Sequence, residues 1–183
     1  MLVEVPLRKY EGVRGPHPGN RRASGNSALY RGHVTVDVRT SIEIDRPRTV
    51  IAAYAADPDN ATTWYSNIKS VEWKTPKPLD VGTRMAFVAH FMGRRLSYTY
   101  EVREVVEGER FVMSTLQGPF PMETTYSWQD SGARSTRMEL RNRGEPSGFS
   151  KLVAPFIAAA MRRANNKDLA RLKAVLEAET HNN

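Results

Sequence analysis

The stretch HVTVDVRTSIEI, residues 33–44, sets the architecture of the chain. Its odd positions carry Thr, Asp, Arg, Ser and Glu after the initial His, all polar. Its even positions carry apolar or β-branched side chains: Val34, Val36, Val38, Thr40, Ile42 and Ile44. Alternation with a period of two residues is typical of a β-strand that buries one face. The stretch therefore predicts a long strand that borders a core.

A helix is predicted directly after this strand, over RPRTVIAAYAAD at 46–57. We expect Asp45 to cap it, with Pro47 in the first turn, where a missing N–H costs least. The following residues, PDNATTWYSNI at 58–68, interrupt the helix and allow a second short helix that ends near Trp64.

Six further strands are predicted beyond these helices, joined by turns that contain glycine. They cover 68–74, 83–92, 95–106, 110–117, 122–129 and 135–143. The chain then continues as a long helix at 155–178. Its apolar stripe consists of Ile157, Met161, Ala164, Leu169, Leu172 and Leu176. This order indicates an α+β fold, in which a long antiparallel sheet curls and the final helix covers its apolar face.

The order of these elements resembles the START/polyketide-cyclase-like superfamily (SRPBCC), whose fold is called the helix-grip fold. The matching phrases are TSIEIDRPRTVIAAYAADPDNATTWYSNI (40–68), GPFPMETTYSW (118–128) and KDLARLKAVLEA (167–178). The resemblance implies a curved antiparallel seven-stranded sheet wrapped around a long C-terminal helix, with two short helices after strand 1. It also implies that hydrophobic ligands such as lipids or polyketides bind between sheet and helix. Only some members of this superfamily are enzymes.

The composition narrows the cellular setting and the chemistry. The chain has no cysteine, which excludes disulfides and thiolate catalysis and fits a reducing compartment. The first 30 residues contain no apolar run of the kind found in secretory signals. The longest apolar stretch, at 152–161, is too short to span a bilayer. We therefore expect a cytoplasmic protein without a transmembrane segment.

The net charge of +7 belongs to the two ends of the chain. Residues 1–32 carry a net +4, residues 150–183 a net +3, and residues 33–149 a net charge of zero. Because the body is neutral, we expect no specific binding of nucleic acid. Residues 1–32 lack periodicity and are predicted to be a disordered basic N-terminal extension, followed by a single domain at 33–183. A monomer and a homodimer are both compatible with the sequence.

The turn at MGRR fixes which side chains share a sheet face. A two-residue loop at 93–94 with glycine first is typical of a type II′ turn. In that register His90 pairs with Ser97, and Phe87 pairs with Tyr100. Faces alternate along paired strands, so His90, the only histidine away from the two ends of the chain, lies on the polar face. It is not expected to line a pocket.

The opposite, inner face collects aromatic and apolar side chains. In the fifth strand Phe111 and Met113 fit this face, although Val112 and Leu116 on the other side are also apolar. Trp64 is expected either at the pocket mouth or as an anchor in the core, and Phe156 and Met161 either at the helical wall of the pocket or in helix packing. The expected ligand-binding residues are Trp64, Phe87, Phe91, Tyr98, Tyr100, Met113, Tyr126, Trp128, Met138, Phe156 and Met161.

Three functions remain open at this point. The inner face offers no histidine, and no carboxylate except Glu104 near a strand end, so it suits binding of a hydrophobic lipid, polyketide or aromatic molecule better than proton transfer. The second function is a polyketide cyclase or dehydratase acting through Tyr98 and Tyr100. The third is an interaction protein that uses the basic tail and helix. No cofactor is expected, and no metal site either, because the four histidines are isolated in the sequence.

Overall fold

The computed structural model describes residues 35–91, 93–145 and 153–178, which belong to one compact unit, Gly32–Asn183. The predicted extension at 1–32 lies outside the described residues, as do positions 33 and 34 of the predicted first strand. The elements in chain order are β1 (Val36–Ile44), α1 (Arg48–Ala56), a 3₁₀ turn (Pro58–Asn60), α2 (Ala61–Trp64), β2 (Ile68–Trp73), β3 (Arg84–Phe91), β4 (Arg94–Val106), β5 (Arg110–Gln117), β6 (Met122–Asp130), β7 (Thr136–Gly144) and α3 (Ala154–Ala178).

The seven strands form one antiparallel sheet in the order β1-β7-β6-β5-β4-β3-β2. The sheet is curved, and the long helix α3 packs on its inner face. The predicted α+β helix-grip fold is therefore confirmed, including the two short helices after the first strand.

The core lies between the inner face of the sheet and α3. Along β1, β6 and β7 buried residues alternate with more exposed ones, as the period of two requires. From the helix side, Leu169, Leu172 and Leu176 are fully or almost fully buried in the same cluster. Tyr126, Trp128 and Met138, expected on the inner face, are buried on that face of β6 and β7.

The predicted register of the β3–β4 hairpin is wrong by two residues. Phe91 pairs with Arg94 and Phe87 with Tyr98, so Gly93, with φ of +73°, is the second of two loop residues and not the first. A glycine at either loop position relieves the strain of a positive φ, so composition did not distinguish the two turns. Because the shift is an even number, every side chain stays on its predicted face, and His90 is exposed.

The predicted cap of α1 is wrong, and the ambiguous pattern of β5 has a structural cause. Asp45 does not cap α1: Pro47 occupies the N-cap position, and the Asp45 carboxylate instead accepts a hydrogen bond of 2.8 Å from Ser135 Oγ. In β4 and β5 the pairing shifts at a bulge between Val102 and Glu104, and Phe111 and Val112 are both buried next to it. The residue added there, Arg103, belongs to β4. In β5 the added residue is Leu116, because Thr99 and Tyr100 pair with Gln117 and Thr115, and it breaks the period of two in this strand.

Candidate functional site

A cavity of about 550 Å³ lies between the sheet and the N-terminal half of α3. Its sheet wall is mostly aromatic and apolar, and the helix adds Ile157, Met161 and Ala164. Nine of the 21 lining residues carry a polar side chain. They are Tyr65, Asn67, Arg94, Tyr98, Tyr100, Thr124, Asn142, Asn165 and Asp168.

Six of the eleven residues predicted to bind ligand line this cavity: Phe87, Phe91, Tyr98, Tyr100, Met113 and Met161. Four others, namely Trp64, Tyr126, Trp128 and Met138, are buried in the core but do not line it. Phe156, expected as helical wall, is 73% exposed and lies outside the cavity. Periodicity identified the inner face but could not locate the boundary between filled core and open space.

Of the two places expected for Trp64, the pocket mouth and the core, the structure shows the core. It is fully buried, stacks on Tyr65 with ring centroids 3.8 Å apart, and meets Tyr126 edge to face at 5.9 Å. Of these three aromatic residues, Tyr65 lines the cavity.

The loop between β5 and β6 forms a further wall. Pro119 and Phe120 line the cavity, and the Phe120 ring meets Tyr98 edge to face, with centroids 6.1 Å apart. Gly118 lies so close to Tyr98 that a Cβ at this position would stand 2.6 Å from the ring. Glycine is required there by this close approach.

The phenol groups around the cavity are hydrogen-bond donors and not bases. The hydroxyls of Tyr65 and Tyr126 lie 2.6 Å apart and share a hydrogen bond. Burial raises the pKa of Tyr98 to about 12 and raises the pKa of Tyr65, Tyr100 and Tyr126 above the ordinary value of a phenol. All four therefore keep their protons at neutral pH.

Asp168 is a carboxylate that the sheet-based reasoning missed. It projects from α3 into the cavity lining, is 1% exposed, and accepts hydrogen bonds of 2.8 Å from both the backbone N–H and the hydroxyl of Ser66. Burial raises the pKa of Asp168, and the hydrogen bonds from Ser66 act in the opposite direction. The other carboxylate considered, Glu104, is half exposed and lies 3.5 Å from Arg110, away from the cavity.

A chain of polar side chains crosses from the sheet to the helix at the cavity wall. Thr124 Oγ1 donates to Asn142 Oδ1 at 2.8 Å, and Asn142 Nδ2 donates to Asn165 Oδ1 at 3.1 Å. Asn165 is also buried, on the same helix turn as Asp168. The chain holds the Asn165 side chain at a fixed place on the wall.

The sequence matches a family model described as polyketide cyclase / dehydrase and lipid transport, over residues 35–177. The chain belongs to this family. Among curated proteins, none matches the sequence.

Solved structures share the fold of this family member at low sequence identity. The protein TTHA0849 from Thermus thermophilus is 23% identical, with a TM-score of 0.68 over 78% of this chain and 98% of that one. A START superfamily protein from Mycobacterium smegmatis is 16% identical, with a TM-score of 0.69 over 80% and 99%. The Zhui aromatase/cyclase from Streptomyces sp. R1128 is 13% identical, with a TM-score of 0.67 over 80% and 96%.

In this polyketide cyclase / dehydrase and lipid transport family member, the sequence contains a signal for Asn165 and Asp168, which were not among the expected site residues. The predicted apolar stripe of α3 passes directly over Asn165 and Asp168, since positions 161, 165, 168, 172 and 176 follow helical spacing. Polar residues on a buried stripe are the informative exception. In the described part of the chain, no helix is both long and apolar enough to cross a membrane.

Proposed function

We propose that this protein binds a hydrophobic small molecule in the cavity between the curved sheet and α3. The observation that carries the proposal is the cavity itself, which has about 550 Å³ of space and a lining in which apolar and aromatic residues outnumber the remaining polar ones. Small-molecule sites in proteins have this size and composition. Membership of the polyketide cyclase / dehydrase and lipid transport family supports the same conclusion.

A cyclase-type enzyme is the second candidate, and one observation favours it. Asp168 places a carboxyl group in the cavity lining, and burial raises its pKa above that of a free aspartate. A carboxyl group is one of the side chains that general acid–base catalysis uses. Tyr98 and Tyr100 would then act as neutral donors that polarise a carbonyl, as their raised pKa values require. We rank ligand binding above catalysis because, among the described residues, Asp168 is the only aspartate, glutamate or histidine in the cavity lining.

The proposal is tested by filling the cavity from the helix. Ala164 lines it, so Ala164→Trp should displace the ligand, whereas Ala170→Trp on the exposed side of α3 is the matched control. Both changes put the same residue into the same helix, so their effects on helix propensity cancel. Native mass spectrometry of the purified wild type and Ala170→Trp should show an added mass that Ala164→Trp lacks.

Binding of an apolar dye gives the same comparison without a co-purified ligand. We expect Ala164→Trp to weaken dye affinity by more than about tenfold, a loss of roughly 1.4 kcal/mol. Equal affinity in the two variants, or no binding to the wild type at all, would contradict the proposal.

A further inference from the structure

The exposed side of α3 carries positive charges and no negative charge along its middle turns. The one acidic residue between positions 154 and 176, Asp168, is 1% exposed and belongs to the cavity wall. None of the exposed cations on this side forms a salt bridge with another described residue. Positions 163, 167 and 171 follow one another at intervals of four, so their side chains lie along one line of the helix. This basic face consists of Arg162, Arg163, Lys167 and Arg171.

An exposed apolar turn precedes the basic face on the same side of the helix. Phe156 is 73% exposed, the largest exposed fraction among the large apolar side chains of the described residues, and Val153 is 38% exposed. Seven residues separate Phe156 from Arg163, which is almost two full turns, so the ring and the guanidinium group share one side. Exposed apolar side chains that form a group are typical of a surface that binds a partner. The apolar turn consists of Val153, Pro155, Phe156 and Ala159.

The β3–β4 turn adds two further cations. Arg94 and Arg95 are exposed there, and neither forms a salt bridge with another described residue. Arg94 lines the same cavity as Ile157 and Met161 of α3, so the turn and the first half of the helix border one opening in the molecule. Positive charge is therefore present on both sides of that opening.

We propose that the basic face and the apolar turn of α3 bind the surface of a lipid bilayer that contains anionic lipids. The cations lie along a line and meet lipid phosphates, and each cation near an anionic surface adds to the affinity. The apolar turn enters the interface between head groups and acyl chains, where an aromatic ring is removed from water. A nucleic-acid duplex offers phosphates too, but it offers no apolar layer for Phe156.

The bilayer surface is separate from the proposed ligand site. Phe156 and the four cations of the basic face do not line the cavity. The inference therefore does not depend on what the cavity holds, and either proposal can fail while the other stands.

Sedimentation of the full chain with lipid vesicles tests the charge. Vesicles of phosphatidylcholine are compared with vesicles in which about one third of the lipid is phosphatidylglycerol. We expect the protein to bind the anionic vesicles only, at about 0.1 M salt, and to lose most of this binding at about 0.5 M salt because the charges are screened. Arg162→Gln/Arg163→Gln should weaken binding by more than about tenfold.

A matched double variant controls for net charge. Lys74→Gln/Arg134→Gln also removes two exposed positive charges, from the end of β2 and from the β6–β7 turn, and should bind the vesicles like the wild type. Both double variants keep the net +4 of residues 1–32, so their comparison isolates the helix.

Fluorescence quenching tests the apolar turn. Phe156→Trp places an indole at this position, and anionic vesicles with brominated acyl chains should quench its emission beyond the quenching of the wild type. Val81→Trp is the control, because Val81 is also 59% exposed but lies in the β2–β3 loop, and it should show no added quenching.

Four results would overturn the inference. They are binding of the wild type to neutral vesicles as tight as to anionic ones, no binding to either, equal binding by the two double variants, and an indole at position 156 that is not quenched. Tighter binding to duplex DNA than to anionic vesicles, at equal phosphate concentration, would also overturn it and would assign the basic face to nucleic acid. Should a variant not fold, the lipid dependence of the wild type still decides.

Discussion

The C-terminal half of α3 packs into a filled core, whereas its N-terminal half borders a cavity, although both halves cover the same sheet. The C-terminal half contacts a buried cluster that includes Trp64 and Met138, through Leu169, Leu172 and Leu176. In the N-terminal half the stripe contains Met161 and Ala164 and becomes polar at Asn165 and Asp168, where the two halves meet.

The comparison shows how one amphipathic helix supports two tasks. Large apolar residues opposite aromatic rings leave no space, and their burial stabilises the fold. Small or polar residues opposite Phe87, Tyr98 and Tyr100 leave space that a ligand can occupy. Mutations should therefore separate the packing in the C-terminal half of α3 from the binding proposed at its N-terminal half.

The largest effect is expected in the filled half, at Trp64. Its ring is fully buried and stacked on Tyr65, so Trp64→Ala should lower the free energy of unfolding by roughly 3–5 kcal/mol. Phe156→Ala is the control, since this ring is 73% exposed and its removal should cost less than about 0.5 kcal/mol. Urea denaturation measures both. Similar losses for the two variants would show that the Trp64 ring is not part of a filled core.

An intermediate effect is expected at the border, at Asp168. Because burial raises its pKa above the unfolded value, the folded protein holds this proton more tightly than the unfolded chain does. Wild-type stability should therefore fall as pH rises from the unfolded pKa through the folded pKa. Asp168→Asn keeps an oxygen acceptor for Ser66 and lacks this dependence, so at neutral pH it should equal the wild type or exceed it by about 1 kcal/mol.

Thermal unfolding from acidic to neutral pH measures the Asp168 effect, with Asp130→Asn at an exposed carboxylate as control. A variant curve parallel to that of the wild type would show that Asp168 is not responsible. The Asp168→Asn variant also distinguishes ligand binding from cyclase activity. A binding protein should still bind its ligand, whereas a cyclase that uses this carboxylate as proton acceptor would lose turnover.

The smallest effect is expected outside both halves, at His90. This side chain is exposed on the outer face of β3, so His90→Gln should change stability by no more than about 0.5 kcal/mol. The affinity for an apolar dye, measured by equilibrium dialysis, should also stay unchanged. Loss of binding in His90→Gln would mean that the outer face takes part in the site.

Much of this arrangement could be predicted from the sequence, because its causes are local. The alternation in β1 and the turn at Gly93 fixed the strands and the side-chain faces, and even a register error of two residues left His90 outside. The cavity boundary could not be predicted, because Trp64 and Tyr98 have the same chemistry and differ only in what lies opposite them.

The polar part of the site was missed for a different reason. Asp168 and Asn165 lie on the helix, whereas the alternation that assigned ionisable groups to a face applies to strands only. Their partners Ser66 and Asn142 are distant in sequence, so no spacing rule connects them. Only the tertiary fold shows that these four residues meet.

The unequal attachment of α3 has a mechanical consequence. Hydrogen bonds hold its later part: Glu177 accepts from the backbone N–H of Asp45, Lys173 donates to the carbonyl of Glu43, and Asp168 accepts from Ser66. The first turns instead touch β1 through apolar side chains such as Ile157. Apolar contacts are non-directional and slide at little cost, whereas hydrogen bonds break when displaced. Displacing the first turns of α3 from the sheet should therefore cost less free energy than displacing its packed end.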